Sequence, residues 1–167
     1  MKEVRIPEER VGVLIGEGGE TLDELEEMTD CSLEVTDNLV RINGGPLDEM
    51  DAQNIVKAIG RGFNPDKALR LVEIDVMLHI MDINRFANTR NSRDRLKGRV
   101  IGRDGEARRH IEKEANVELA VYGKTIAIIG EAQNIEVASE AIKMLLQGSS
   151  HSTAWDYIEK NRANIKR

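Results

Sequence analysis

Apolar residues recur along the chain at two spacings, and the succession of the two is repeated. Leu22, Leu25 and Met28 fall three residues apart, the period of a helix with one buried face. From Cys31 to Thr36 and from Leu39 to Asn43 apolar and polar residues alternate, as on strands buried on one side. Later, Ala107, Ile111 and Ala115 share a helical face. Val117 to Tyr122 and Thr125 to Ile129 then read as two strands joined by the short turn Tyr122-Gly123-Lys124. A strand is predicted ahead of each block, Val4 to Pro7 and Asp75 to Asp82. Each is followed by a short helix ending at Ile15-Gly16 or Ile101-Gly102. A closing helix completes each block, from about Leu47 to Ile59 and from about Asn134 to Leu146.

The two blocks are copies. A shift of 86 residues lays Gly12 to Gly44 on Gly98 to Gly130 without a gap, and ten of the 33 positions are identical. Among them are Ile15/Ile101, Gly16/Gly102, Gly19/Gly105, Glu20/Glu106, Glu26/Glu112 and Leu33/Leu119. Each copy carries a four-residue turn between its first two helices, Gly16-Glu17-Gly18-Gly19 and Gly102-Arg103-Asp104-Gly105. Glycine at both ends permits positive φ and lets the backbone approach another molecule. The helix that starts there has amides without intrahelical partners, which together with the helix dipole favour an anion.

The order β-α-α-β-β-α, with Ile-Gly-x-x-Gly-Glu at Ile15 to Glu20 and again at Ile101 to Glu106, resembles the KH domain of the eukaryotic type. The resemblance implies an α+β chain of two tandem type I KH domains. Each would have a three-stranded antiparallel sheet packed on three helices. It also implies that the turn clamps the backbone of single-stranded RNA, about four nucleotides of it, with bases in an apolar groove beside the second strand. Carried onto this sequence, RNA would meet Lys97, Arg99, Ile101, Gly102, Arg103, Asp104, Gly105, Arg108, Arg109 and Leu119. Gly16, Glu17, Gly18 and Gly19 would give a weaker contact with RNA or with a partner.

Charge separates the copies. Residues 1–83 hold 8 Lys and Arg against 19 Asp and Glu, a formal charge of −11; residues 84–167 hold 16 against 11, or +5. Nine basic residues lie between Arg85 and Arg109, opposed by Asp94, Asp104 and Glu106 alone. Cations there would gather phosphates and give salt-sensitive affinity. In the first copy Glu17 stands where Arg103 stands in the second, and Glu20, Asp23, Glu24, Glu26 and Glu27 follow. Glu20 and Asp23 suit a helix N-terminus. Glu17, Glu26 and Glu27 have no such local reason, so the first copy is expected to hold RNA poorly and to offer an acidic face to a basic protein. Aromatic residues are 3% of the chain, too few for a base-stacking platform of the RRM or OB kind.

Other chemistry is thin. Cys31 is single, which excludes an internal disulfide, and is expected to be a buried hydrophobe. His79, His110 and His151 are widely separated, fit no metal-ligand spacing, and no nucleophile-elbow, Walker or dinucleotide motif occurs. Nothing points to an enzyme or a cofactor. With neither a long apolar run nor an apolar leader at Met1 to Pro7, the cytosol is the expected location.

The expected organisation is an acidic first domain over 1–63, a connecting helix over 64–72, a basic second domain over 73–147 and a tail helix over 148–167. Asn64 caps the connecting helix, with Pro65 at its first position. So short a joint suggests two domains side by side with one continuous surface. Asn84 to Arg95 exceeds what the fold requires before its first helix and reads as a basic loop, ordered by itself or on RNA. A Ser-capped tail helix is expected to pack Trp155 and Ile158 on the second domain, with stacking on an RNA base as the second reading of Trp155.

Taken together, the acidic first copy, the basic second and the Gly148…His151…Tyr157 tail are similar to one family, the archaeal form of the small-subunit assembly factor called partner of Nob-one (Dim-two type). That resemblance implies binding near the 3′ end of small-subunit (16S) ribosomal RNA or its precursor and a role in subunit maturation. The Nob-type PIN-domain endonuclease and the alpha subunit of translation initiation factor two are the implied partners. Two other functions fit the residues: a tandem-KH binder of another RNA (a messenger, or the RNA of a degradation complex), and a protein adapter using the acidic copy.

Overall fold

Strand β1 (Lys2–Arg5) points Val4 inward and leaves its neighbours exposed. Pro7, which cannot continue a ladder, stands at the start of α1 (Glu8–Ile15). Next come α2 (Glu20–Thr29), β2 (Ser32–Thr36), β3 (Leu39–Asn43) and α3 (Pro46–Gly60). The sheet runs β1-β3-β2, antiparallel throughout, with Val40 opposite both Val4 and Val35. Val40, Ile42, Leu14, Leu25, Ile55 and Ile59 form the interior between sheet and helices. A connecting α4 (Pro65–Ala68), capped by Asn64 Oδ1 accepting from the Lys67 amide at 3.0 Å, runs into a 3-10 turn, Leu69–Val72.

The second copy has β4 (Val76–Asp82), α5 (Arg90–Ile101), α6 (Glu106–Ala115), β5 (Glu118–Tyr122), β6 (Thr125–Glu131) and α7 (Ala132–Leu146). Its sheet runs β4-β6-β5. The tail helix α8 (His151–Lys160) is capped by Ser150, whose Oγ accepts from the Thr153 amide at 3.2 Å. The computed structural model describes residues 1–167 and divides into two units, residues 1–76 and 77–167. The connecting helix packs on α3 in the first unit, and α8 packs on α6 and α7 in the second. No helix is long and apolar enough to cross a membrane.

The helical face of α2 is less complete than its spacing suggests. Leu25 is buried, Leu22 is half-buried and Met28 is exposed. In α6 all three expected positions, Ala107, Ile111 and Ala115, are buried. The cluster that holds Ile111 and Ala115 extends through Ile128, Ala141 and Ile142 to Ala154 and Ile158 of the tail.

One expectation is corrected before the second turn. The segment from Asn84 to Arg95 is not a loop: a 3-10 turn at Ile83–Arg85 precedes a helix that begins at Arg90. Thr89 makes this start local, because its Oγ1 accepts from the Ser92 amide at 3.1 Å. The insertion can be measured. Ile6 donates its amide to Asn38 O, and Ile83 donates to Lys124 O. The acceptors keep the 86-residue offset while the donors are 77 apart, so nine extra residues precede the second turn.

Candidate nucleic-acid interface

The two turns share one backbone. Gly16 and Gly102 have φ, ψ of 75, 175 and 75, 178; Gly18 and Asp104 have 61, 18 and 55, 27; Gly19 and Gly105 have 82, 9 and 77, 11. In each turn three of the four residues have positive φ, the first glycine extended in ψ and the last two left-handed, and together they bend the chain from one helix into the next. The first glycine is also required by space. A Cβ on Gly102 would lie 2.6 Å from Ala107 Cβ, and one on Gly16 would lie 2.7 Å from Thr21 Cβ. Glycine at the N-cap supplies no side-chain oxygen, so neither α2 nor α6 has a side-chain cap. The Glu20 and Glu106 amides bond back to Glu17 O and Arg103 O, and the positive end of each helix dipole still favours an anion there.

The side chains around the second turn divide into three groups. Arg103 and Asp104 project into solvent, and Arg109 Nη1 donates to Asp104 O at 2.7 Å, which ties the turn to the helix behind it. Lys97, Ile101, Gly102 and Gly105 are half-buried beside it. Arg108 is half-buried and donates to Glu112 Oε1 at 3.4 Å, so part of its charge is met inside the chain.

Two expected contacts are placed elsewhere. The Arg99 guanidinium turns away from the turn: Nε donates to Leu145 O in the last turn of α7 at 3.0 Å and Nη2 to Ser149 O in the link to α8. Leu119 lies on β5 with its side chain in the core, 2% exposed, because the alternation of that strand aims it inward. Its main chain is tied to α6, where the Leu119 amide donates to Glu112 Oε2 at 3.0 Å.

The acidic helix of the first unit is also partly explained by its fold. Glu26 accepts the Leu33 amide at 2.8 Å, the counterpart of Glu112 and Leu119. Its carboxylate has a structural duty, contrary to the expectation drawn from the sequence. Glu17, Glu20, Asp23, Glu24 and Glu27 are exposed, so the acidic face itself is present.

The tail brings further residues to the second turn that the sequence did not mark. A recess of about 260 Å³ is lined by Gly102, Arg103, Glu106, Ala107 and His110, together with His151 and Trp155 of α8. The His110 and Trp155 rings are 4.2 Å apart between centroids and tilted by 35°. His151 Nε2 donates to Arg99 O at 2.8 Å. His110 was legible in part, since it lies one helical turn beyond Glu106. Placing His151 and Trp155 there required the docking of α8.

Comparison with known proteins agrees with this architecture. A family model described as the eukaryotic-type KH domain (type I) matches residues 77–163, and a KH domain model matches residues 1–58. The KH domain-containing protein MJ0443 of Methanocaldococcus jannaschii is 44% identical over 170 residues, covering 98% of this chain and 75% of that protein. The pre-rRNA-processing protein pno1 of Emericella nidulans is 29% identical over 118 residues; the match covers 68% of this chain and 45% of that longer protein. Dim2p from Pyrococcus horikoshii OT3 has a TM-score of 0.90 and 37% identity, covering 95% of this chain and 98% of that one. A chain of the a/eIF2alpha–aDim2p–rRNA complex from the same organism has a TM-score of 0.92 and 36% identity, with 98% and 94% covered.

Proposed function

Because this chain belongs to the Pno1/Dim2-type family of KH-domain ribosome assembly factors, we propose that it binds single-stranded RNA at the 3′ end region of small-subunit rRNA or its precursor and acts in maturation of that subunit. The observation that carries this is the second turn, an uncapped helix start behind Gly102 to Gly105 with exposed Arg103 and Arg109 at its edge. Amides of the first turn of α6 meet a phosphate, and Arg103, Arg109 and Lys97 supply the surrounding field. The chain acts here as a binding protein, with no chemical step assigned to it. The rRNA complex of the Pyrococcus relative supports the RNA assignment.

The first turn has the same backbone, so it keeps the cradle. Its five exposed carboxylates weaken the field there, and the contact it makes with RNA is the weaker one. The same face suits a basic protein. The alpha subunit of initiation factor two, present in the relative's complex, is its first candidate, and a Nob-type nuclease its second.

The test is binding of an oligonucleotide with the host's 16S 3′-end sequence at several salt concentrations. Wild type is compared with Arg103→Asp and Gly18→Asp. Arg103→Asp is expected to lower affinity at least tenfold and to flatten the salt slope by about one unit or more. Gly18→Asp is expected to cost less. Equal losses would overturn the ranking of the two units, and absence of binding by wild type would overturn the RNA function.

A further inference from the structure

The recess beside the second turn has features that a phosphate cradle does not need. Gly102 of the turn and Ala107 of α6 line it without large side chains. One wall is aromatic, made by His110 of α6 and by Trp155 and His151 of α8. Arg103 stands at its edge and belongs to the turn as well. The volume, about 260 Å³, lies just below the roughly 300–1,000 Å³ of clefts that take a drug-sized ligand. It suits one planar ring.

The wall is held firmly. Arg99 grips the carbonyls of Leu145 and Ser149 immediately before α8. His151 Nε2 donates back to Arg99 O, and Ala154 and Ile158 are buried beneath the tail. Trp155 is therefore presented to the recess by a fixed helix.

We propose that this recess receives one nucleobase of the bound RNA, next to the phosphate at the turn and outside the groove that holds the other bases. The inference rests on the RNA-binding function proposed above. A strand whose phosphate sits on the α6 amides has its adjoining nucleoside within reach, because Gly102 and Arg103 border both places. Stacking against His110 and Trp155 tolerates any base. Glu106, an acceptor on the rim, selects a base that presents an amino group, so adenine, guanine or cytosine is preferred to uracil.

Trp155 is the single tryptophan of the chain, so its emission reports this place alone. The 16S 3′-end oligonucleotide is titrated intact and as a series with one abasic nucleotide at each position, with binding followed independently by anisotropy of a label on the RNA. Trp155 emission should change in step with binding. One abasic position should abolish that change and lower affinity about tenfold. His110→Ala, which removes a half-buried ring from the recess wall, should cost a similar factor with intact RNA and little with that abasic RNA. If RNA binds while Trp155 emission stays constant, or changes equally for every abasic RNA, the recess holds no base and the RNA function stands. If no RNA binds, both proposals fail.

Discussion

Arg99 Nε lies 3.0 Å from Leu145 O, and this bond closes the end of the last core helix. The first unit solves the same problem from another position. Arg10 Nε donates to Ile59 O at 2.8 Å, and its Nη2 donates to Phe63 O at 2.7 Å. Ile59 and Phe63 correspond to Leu145 and Ser149 at the 86-residue offset, whereas Arg10 and Arg99 do not correspond to each other. The terminal carbonyls of α3 and α7 need donors and draw a cation. Any arginine that reaches them from the first helix of its unit will serve.

Arg99→Met should therefore lower stability by about 2 kcal/mol, the scale of hydrogen bonds from a charged donor. Urea unfolding of the whole chain measures this. If Arg99 served RNA instead, the variant would unfold as wild type does and lose salt-dependent affinity.

Gly16→Ala and Gly18→Ala should differ. Both residues have positive φ, which costs an L side chain about 1–2 kcal/mol. A Cβ on Gly18 meets nothing within 4 Å, while on Gly16 it would come 2.9 Å from the Thr21 amide nitrogen. The Gly16 variant should be at least about 1 kcal/mol less stable than the Gly18 variant by thermal or urea unfolding. Equal stability would mean that the turn relaxes around the added carbon.

Glu26→Ala and Glu112→Ala should each cost about 1–2 kcal/mol, since each leaves a strand amide without its acceptor. Glu27→Ala, which removes an exposed carboxylate one residue from Glu26, should change stability by no more than about 0.5 kcal/mol. Chemical denaturation of the three variants checks the order.

Cys31 is 6% exposed, and burial pushes its thiol above the ordinary cysteine value, with Asp48, Glu49 and Asp30 adding to the rise against a bond with Thr29. The folded chain thus holds this proton more tightly than the unfolded chain. Its contribution to stability is complete below the unfolded-state thiol value and declines as pH rises past it. A thiol reagent at neutral pH should label Cys31 only on unfolding, and a Cys31→Ser variant should lose less stability between pH 8 and 10 than wild type. Rapid labelling of the native protein would contradict the burial.

The repeat, the strand and helix order and the doubled glycine turn were legible because they depend on local patterns: two periods of apolar residues and glycines at fixed spacing. The charge division was legible by counting. The sequence also placed the Asn64 cap and a serine cap on the tail helix, since such oxygens act within three residues; which serine it is came from the structure. It did not show that Asn84 to Arg95 is largely helical, since polar arginine-rich residues carry no apolar period and the start depends on Thr89. Nor could it separate Arg99 from Arg103, which are equally charged and four residues apart. Only packing of α5 against the end of α7 turns one of them inward. Leu119 and Glu26 show the same limit: strand direction puts Leu119 in the core, and a cross-element hydrogen bond engages the half-buried Glu26. The recess is the clearest case, because its wall comes from α6 and from a helix more than forty residues later. Contacts between residues so far apart in the chain leave no periodic trace, and only the folded unit brings His110 and Trp155 together.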